Sequence, residues 1–231
     1  MVNVHKAVNY IMDHRPASTL TVSDLGYTYP DGQELYFPSF SCARGENLAI
    51  LGQSGSGKTT LLHLLAGILG AHQGEIHYSD VAFHNLSSAK QDAFRGKNIG
   101  MIFQKHFFLD GISVMENLQA ARRLAGLPDD RSYLESLLDR LEIGNLARRK
   151  PSQLSEGQQQ RFSIARAMAC KPSWVLADEP TSSLDDTNCH RFLDLMNLPL
   201  TDEPVSWIVA THDQRVKSAF HTIYQLNAKP V

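Results

Sequence analysis

Eight residues constrain this chain most. Gly52, Gln53, Ser54, Gly55, Ser56, Gly57, Lys58 and Thr59 spell the pattern GxxxxGK[ST]. Before them, Asn47–Leu51 reads as a buried strand. After them, Thr60–Ala66 reads as the start of a helix, with Gly67 and Gly70 near its end. Strand, glycine-rich loop and helix in that order make a phosphate-binding loop. Glycines let the backbone approach an anion and aim successive N–H groups at it. The helix N-terminus adds about half a positive charge at the same place. Lys58 is placed for the β- and γ-phosphates of a nucleoside triphosphate. The Thr59 hydroxyl suits Mg²⁺, a hard ion that takes oxygen ligands. Gly52, Ser54, Gly55, Ser56, Gly57 and Thr60 complete the nucleotide-binding set of the loop.

The rest of the chain is consistent with a nucleotide-binding α/β domain. Its 231 residues are enough for one domain with a subdomain. A net charge of −2 supplies no electrostatic reason to bind nucleic acid or an anionic membrane, so no nucleic-acid partner is expected. Cys42, Cys170 and Cys189 have no metal-ligand spacing and read as reduced thiols. The longest apolar stretch, Leu61–Leu69, is interrupted by His63 and Gly67 and falls far short of the ~20 residues that span a bilayer. Met1–Arg15 has no signal-peptide core. A membrane role would therefore need a second chain to hold this one in place.

Strand and helix patterns alternate, the mark of a sheet with crossovers. Leu20–Val22, Glu34–Phe37, Gly74–Tyr78, Ile99–Phe103, Trp174–Ala177 and Val205–Ala210 read as strands. From Ser113 to about Leu141 the period is helical, with Leu134, Leu137, Leu138 and Leu141 on one face. Trp174–Ala177 delivers Asp178 and Glu179 at a strand's C-terminal end, where open α/β sheets bind ligands. Ser155 and Gln158 form an S-x-x-Q capping box that starts a helix running to Ala169. Such an N-terminus presents N–H donors to an anion.

Leu154-Ser155-Glu156-Gly157-Gln158 resembles the LSGGQ signature of the ATP-binding cassette (ABC) family, and Asp178-Glu179 resembles its Walker B motif. The resemblance runs from about Leu20 to Tyr224. It implies an α/β fold: a P-loop NTPase (RecA-like) core with an antiparallel β subdomain and an α-helical signature subdomain at about 105–168, preceded by an N-terminal extension at 1–19. It implies an ATPase with ATP and Mg²⁺ as cofactors. Asp178 would hold the ion with Thr59, and Glu179 would polarise the attacking water as general base or by orienting it. Gln104 resembles the Q-loop glutamine, which senses metal and water. His212 resembles the switch histidine on the γ-phosphate. Tyr29 is the candidate for stacking on adenine, with Tyr27 as competitor. In the family a second copy completes each site, so Ser155, Gly157 and Gln158, together with Asp185 of the D-loop-like Ser182–Asp185, would act in trans. The signature departs from LSGGQ at Glu156, a carboxylate expected to point outward, where the helix dipole favours it.

The resemblance further implies a homodimer, or a pair with a similar ATPase, docked on an integral membrane permease at the cytoplasmic, inner face of the membrane. Leu86–Lys90, Ile99–Gln104 and Val175–Thr181 are similar to the ATPases of lipoprotein-releasing and macrolide-export systems. Gln158–Arg161 and Ser182–Ser183 look more like amino-acid importers. A soluble ATP-gated clamp is a third possibility, but such relatives carry two cassettes or a long coiled-coil insertion. A small-molecule P-loop kinase would share the phosphate loop without needing the signature helix. Its basic lid would fall to Arg148–Lys150, which reads more simply as a solvated charge run. In the family a permease helix docks near the Q-loop. Side chains alternate on an extended segment, so one of Phe107 and Phe108 should be left partly exposed there.

Overall fold

The computed structural model describes residues 19–182, 184–217 and 219–226. The expected extension therefore lies outside the described residues except for Thr19, which opens the first strand. Ser183 of the D-loop-like segment is also outside them.

The strands are β1 (Thr19–Thr28), β2 (Glu34–Phe37), β3 (Phe40–Ala43), β4 (Leu48–Leu51), β5 (Gln73–Tyr78), β6 (Val81–Ala82), β7 (Ile99–Ile102), β8 (Trp174–Asp178), β9 (Ser206–Thr211) and β10 (Thr222–Gln225). The helices are α1 (Lys58–Leu65), α2 (Ser88–Asn98), α3 (Val114–Leu124), α4 (Arg131–Arg140), α5 (Glu156–Met168), α6 (Asp186–Met196) and α7 (Gln214–Lys217). Two five-stranded sheets result. In one, the long β1 pairs antiparallel with β2, β3 and β5, and β5 with β6. The other is parallel, in the order β10-β4-β9-β8-β7.

The inner strands β4, β8 and β9 are buried along their whole length and largely apolar because both faces are covered, whereas β10 at the sheet edge alternates between half-buried and exposed. Successive side chains point to opposite faces. Leu48 and Ile50 of β4, Leu176 of β8, and Ile208 and Ala210 of β9 pack with α1 and the antiparallel sheet. The intervening Ala49, Leu51, Val175, Ala177, Trp207 and Val209 pack with α3, α4, α5 and α6. The parallel sheet thus separates two cores and exposes only its ends for chemistry.

Three differences from the sequence reading have local causes. The helix after the phosphate loop begins at Lys58 rather than Thr60, because Gly57 in a left-handed conformation (φ 92°) turns the chain straight into it. The helical stretch from Ser113 is two helices. Gly126 (φ 68°) ends the first, and the second restarts at Asp130, whose carboxylate accepts from the Tyr133 N–H. β3, β6 and β10 lie outside the strands read from the sequence and are held by pairing to β1, β5 and β4. The expected capping box at Ser155 and Gln158 is present, and Ser113 and Glu116 form another at the start of α3. Cys42, Cys170 and Cys189 are free thiols.

Candidate functional site

The register of the parallel sheet brings four loops to one edge. Leu51, the last residue of β4, lies opposite Thr211 of β9. Asp178 of β8 lies opposite Ala210, and Ile102 of β7 opposite Ala177. The chain leaves these ends through Gly52, Glu179, His212 and Gln104.

The phosphate loop wraps the first turn of α1. Gly55 and Gly57 have φ of 77° and 92°, a region that residues with a Cβ rarely occupy. At Gly57 a Cβ would also meet Leu35 at 2.8 Å. Lys58 is buried, and its Nζ donates to the carbonyls of Gly52 (2.9 Å) and Gln53 (3.0 Å). Thr59 Oγ1 donates to Asp178 Oδ2 at 2.8 Å, joining the loop to β8. Ser56 Oγ and Asp178 Oδ1 are buried with no hydrogen-bond partner among the described residues. Native interiors rarely leave such atoms unsatisfied. A hydroxyl and a carboxylate oxygen, next to the Thr59 hydroxyl, form a donor set that suits Mg²⁺ with a phosphate. Burial pushes the Asp178 carboxyl up; the Thr59 hydrogen bond opposes that, and the neighbouring Glu179 charge adds to it.

Glu179 sits beyond the strand end at φ 46°, and its N–H donates to Ala210 O at 2.8 Å. A left-handed conformation at a residue with a Cβ costs about 1–3 kcal/mol and is retained where the surroundings over-determine it. Here they do. Glu179 Oε1 lies 3.2 Å from Lys58 Nζ and 2.9 Å from His212 Nδ1. Its Oε2 accepts from the Thr211 hydroxyl (3.1 Å) and the His212 N–H (3.3 Å). Burial alone would raise this carboxyl, but the hydrogen bonds from His212 and Lys58 outweigh it and hold it below the usual range. The site therefore keeps Glu179 ionised beside a cation and an exposed imidazole.

The other expected residues are placed as follows. Tyr29 is half-buried beside α1, its hydroxyl hydrogen-bonded to Thr60 and its ring edge-on to Tyr27 at 5.0 Å. Gln104 is exposed past the end of β7. Ser155 caps α5, accepting from the Gln158 N–H while Gln158 Oε1 accepts from the Ser155 N–H at 3.0 Å. Asp185 caps α6 through the Asn188 N–H at 2.8 Å. Gly157 faces open space. Gln104, Ser155, Gly157, Gln158 and Asp185 make no hydrogen bond to the Lys58–Glu179–His212 group. Glu156 is exposed in the first turn of α5, its charge felt by His106.

One cluster escaped the sequence reading. Arg215 forks onto Asp213, with Nη2–Oδ2 at 2.7 Å, and reaches Asp186 Oδ1 (2.7 Å) and Leu184 O (3.0 Å). Thr181 Oγ1 donates to Asp213 Oδ2 at 2.9 Å. Arg215 holds the Asp213 carboxyl down at about 2. This ties the segment after Glu179 and the start of α6 to the segment after His212. Only the Asp beside His212 hinted at it. Gln160 of α5 adds a further tie, donating to Pro180 O at 3.1 Å.

A buried lysine in a glycine cradle, a Thr–Asp pair beside it and an ionised Glu–His pair at the same sheet edge define a nucleoside-triphosphate-hydrolysing cassette. The comparisons give the family. The chain matches the ABC transporter family over residues 37–182, and it belongs to that family. It is an ATP-binding, ATP-hydrolysing cassette of the transporter type. It is 37% identical over 214 residues to the lipoprotein-releasing system ATP-binding protein LolD of Hydrogenovibrio crunogenus, covering 90% of this chain and 93% of that protein. It is 37% identical over 191 residues to the ABC transporter ATP-binding protein YtrE of Bacillus subtilis, covering 82% and 83%. Among solved structures, a dimeric bacterial ABC transporter cassette aligns with a TM-score of 0.78 at 28% identity over 90% of this chain and 94% of that one. A post-hydrolysis dimer bound to ADP and Pi aligns with a TM-score of 0.79 at 27% identity over the same shares.

Proposed function

We propose that two copies of this chain, or one copy and a similar ATPase, close around two Mg²⁺–ATP and drive an integral membrane permease from the inner face of the membrane. Lys58 and the loop N–H groups bind the phosphates, and Tyr29 stacks on adenine. Thr59, Asp178 and Gln104 hold Mg²⁺, which when bound neutralises charge on the β- and γ-phosphates. Glu179 orients and deprotonates the attacking water, and His212 holds the γ-phosphate side. Ser155, Gly157, Gln158 and Asp185 of one protomer complete the site of the other.

The observation that carries the composite site is the start of α5. Its N-terminus is capped, yet Ser155, Glu156 and Gly157 stay exposed with open space at Gly157. Its N–H donors therefore face outward to an anion held elsewhere. The dimeric forms of the structural neighbours support this reading. No described helix is long and apolar enough to cross a membrane, which suits a peripheral subunit. The relatives named for lipoprotein release favour export or mechanical work in the envelope over amino-acid import. The test is purification of the Glu179→Gln protein from membranes with ATP. The expected product is a cassette dimer on a permease. A dimer on ribosomes or DNA would replace this reading with the clamp, and a monomer with ATP would count against the composite site.

A further inference from the structure

We propose that Glu75, His77 and His84 form a site for Zn²⁺ or a similar late first-row divalent ion on the antiparallel sheet, separate from the nucleotide residues. Glu75 and His77 are two apart on β5 and so share a face, while Ile76 and Tyr78 between and beyond them are buried on the other. The chain then turns back through β6, with His77 opposite Ala82, and enters a single helical turn, Phe83–Asn85. Buried Phe83 anchors that turn edge-on to Tyr78 at 5.4 Å, and the next residue, His84, comes beside His77 with ring centroids 5.1 Å apart.

One ligand atom from each of Glu75, His77 and His84 lies within 4.8 Å of the others. The Glu75 Oε2 and His77 Nε2 atoms are 3.0 Å apart. Bonds of about 2.0–2.1 Å in a tetrahedral site put ligand atoms roughly 3.3 Å apart, so that pair is already in range and a small side-chain rotation brings in the third. The His84 ring is oriented by the Ile76 backbone, its Nδ1 lying 3.1 Å from Ile76 O and 3.3 Å from Ile76 N. In the tautomer that donates its Nδ1 proton to the carbonyl, Nε2 keeps its lone pair, the arrangement that metal-ligating histidines adopt. Two imidazoles and one carboxylate suit Zn²⁺ and exclude a preference for Mg²⁺ or Ca²⁺, which take oxygen. Three protein ligands leave a fourth position for water, on the side where Glu75 is exposed. The ion would staple β5 to the turn that follows β6.

The test uses the full chain, stripped with EDTA, dialysed and free of nucleotide. Co²⁺ serves as the spectroscopic probe, and Zn²⁺ affinity is read by competition. The expected result is one equivalent of Co²⁺ with the intense visible bands of a low-coordinate site, displaced by Zn²⁺, and a rise in melting temperature with Zn²⁺. His77→Ala and His84→Ala should each weaken Zn²⁺ binding at least tenfold, while His190→Ala should not. Glu75→Gln, at an exposed position, should also weaken it without risk to folding. Absence of Co²⁺ bands in the wild-type protein would overturn the proposal. So would wild-type Zn²⁺ affinity in both Glu75→Gln and the His77→Ala/His84→Ala double variant.

Discussion

The ammonium of Lys58 and the carboxylate of Glu179 are 3.2 Å apart, and both side chains are almost wholly buried. The residue proposed to bind phosphate and the residue proposed to activate water are therefore one electrostatic unit, although 121 positions separate them. Removing either member has a different consequence. Lys58→Ala strips the cradle of its cation and leaves a carboxylate buried against it, so ATP affinity should fall at least about tenfold, or 1.4 kcal/mol. Glu179→Gln keeps the shape and one accepting oxygen, but it loses the base and the charge facing Lys58 and His212. ATP binding should stay within about threefold while turnover falls about a hundredfold or more. Equilibrium binding of a fluorescent nucleotide and phosphate release separate the two. Turnover of Glu179→Gln within tenfold of wild type would take Glu179 out of that role.

Asp213 supports a pH prediction. Its carboxyl titrates at about 2 in the folded chain against an ordinary 3.8, because Arg215 forks onto it and Thr181 donates to it. The folded state then binds fewer protons than the unfolded state between those values. The stabilisation is complete above about pH 4 and is lost as pH falls toward 2. Asp213→Asn should cost about 1.5–3 kcal/mol at pH 7, as for a hydrogen-bonded charge. In urea titrations that difference should shrink below pH 4. A difference unchanged down to pH 2.5 would mean that Asp213 acts through shape rather than charge.

The composite site is tested by mixing. Ser155→Arg should block dimer closure while leaving each monomer able to bind ATP. Lys58→Ala should fail for lack of bound nucleotide. In the mixed dimer one site carries both lesions and the other carries neither. ATP-dependent association, followed by light scattering, should reappear in the mixture. No association or turnover beyond that of the separate mutants would count against sites built from two protomers.

Much of this site was legible because its chemistry is written in consecutive residues. Lys58 and Thr59 follow their glycines directly, and Asp178 and Glu179 end an apolar run, so local pattern places them at strand ends. The Ser155–Gln158 box is likewise a short-range signal. What the sequence did not disclose is long-range. The Arg215–Asp213–Thr181 cluster joins residues 32 and 34 positions apart. The pairing of β10 with β4 spans the chain from Leu48 to Thr222. No periodicity encodes either. The break between α3 and α4 was written locally, at Gly126 and Pro128, but is overridden in a reading by period alone because Leu134, Leu137 and Leu138 continue an apolar face.

Phe107 and Phe108 are adjacent, and only one of them packs into the protein. The segment after Gln104 is irregular, and the two rings part as expected: Phe107 is 61% exposed, whereas Phe108 is half-buried against Phe162 at 4.4 Å. His106, hydrogen-bonded to Ser163 at 2.7 Å and stacked on Phe108, fixes the segment to α5. An exposed phenylalanine on a fixed segment, with exposed Leu109 nearby, has the properties of an interface anchor. Phe107→Ala should change stability by less than about 0.5 kcal/mol, as surface substitutions do. It should weaken permease binding by about 2 kcal/mol and spare ATP binding by the free subunit. Phe108→Ala should instead lower stability, by less than the about 3–5 kcal/mol of a fully buried phenylalanine. Denaturant midpoints of the two variants, read beside permease pull-down from detergent extracts, distinguish the roles. Two variants that both unfold the protein, or both retain the permease, would count against this site.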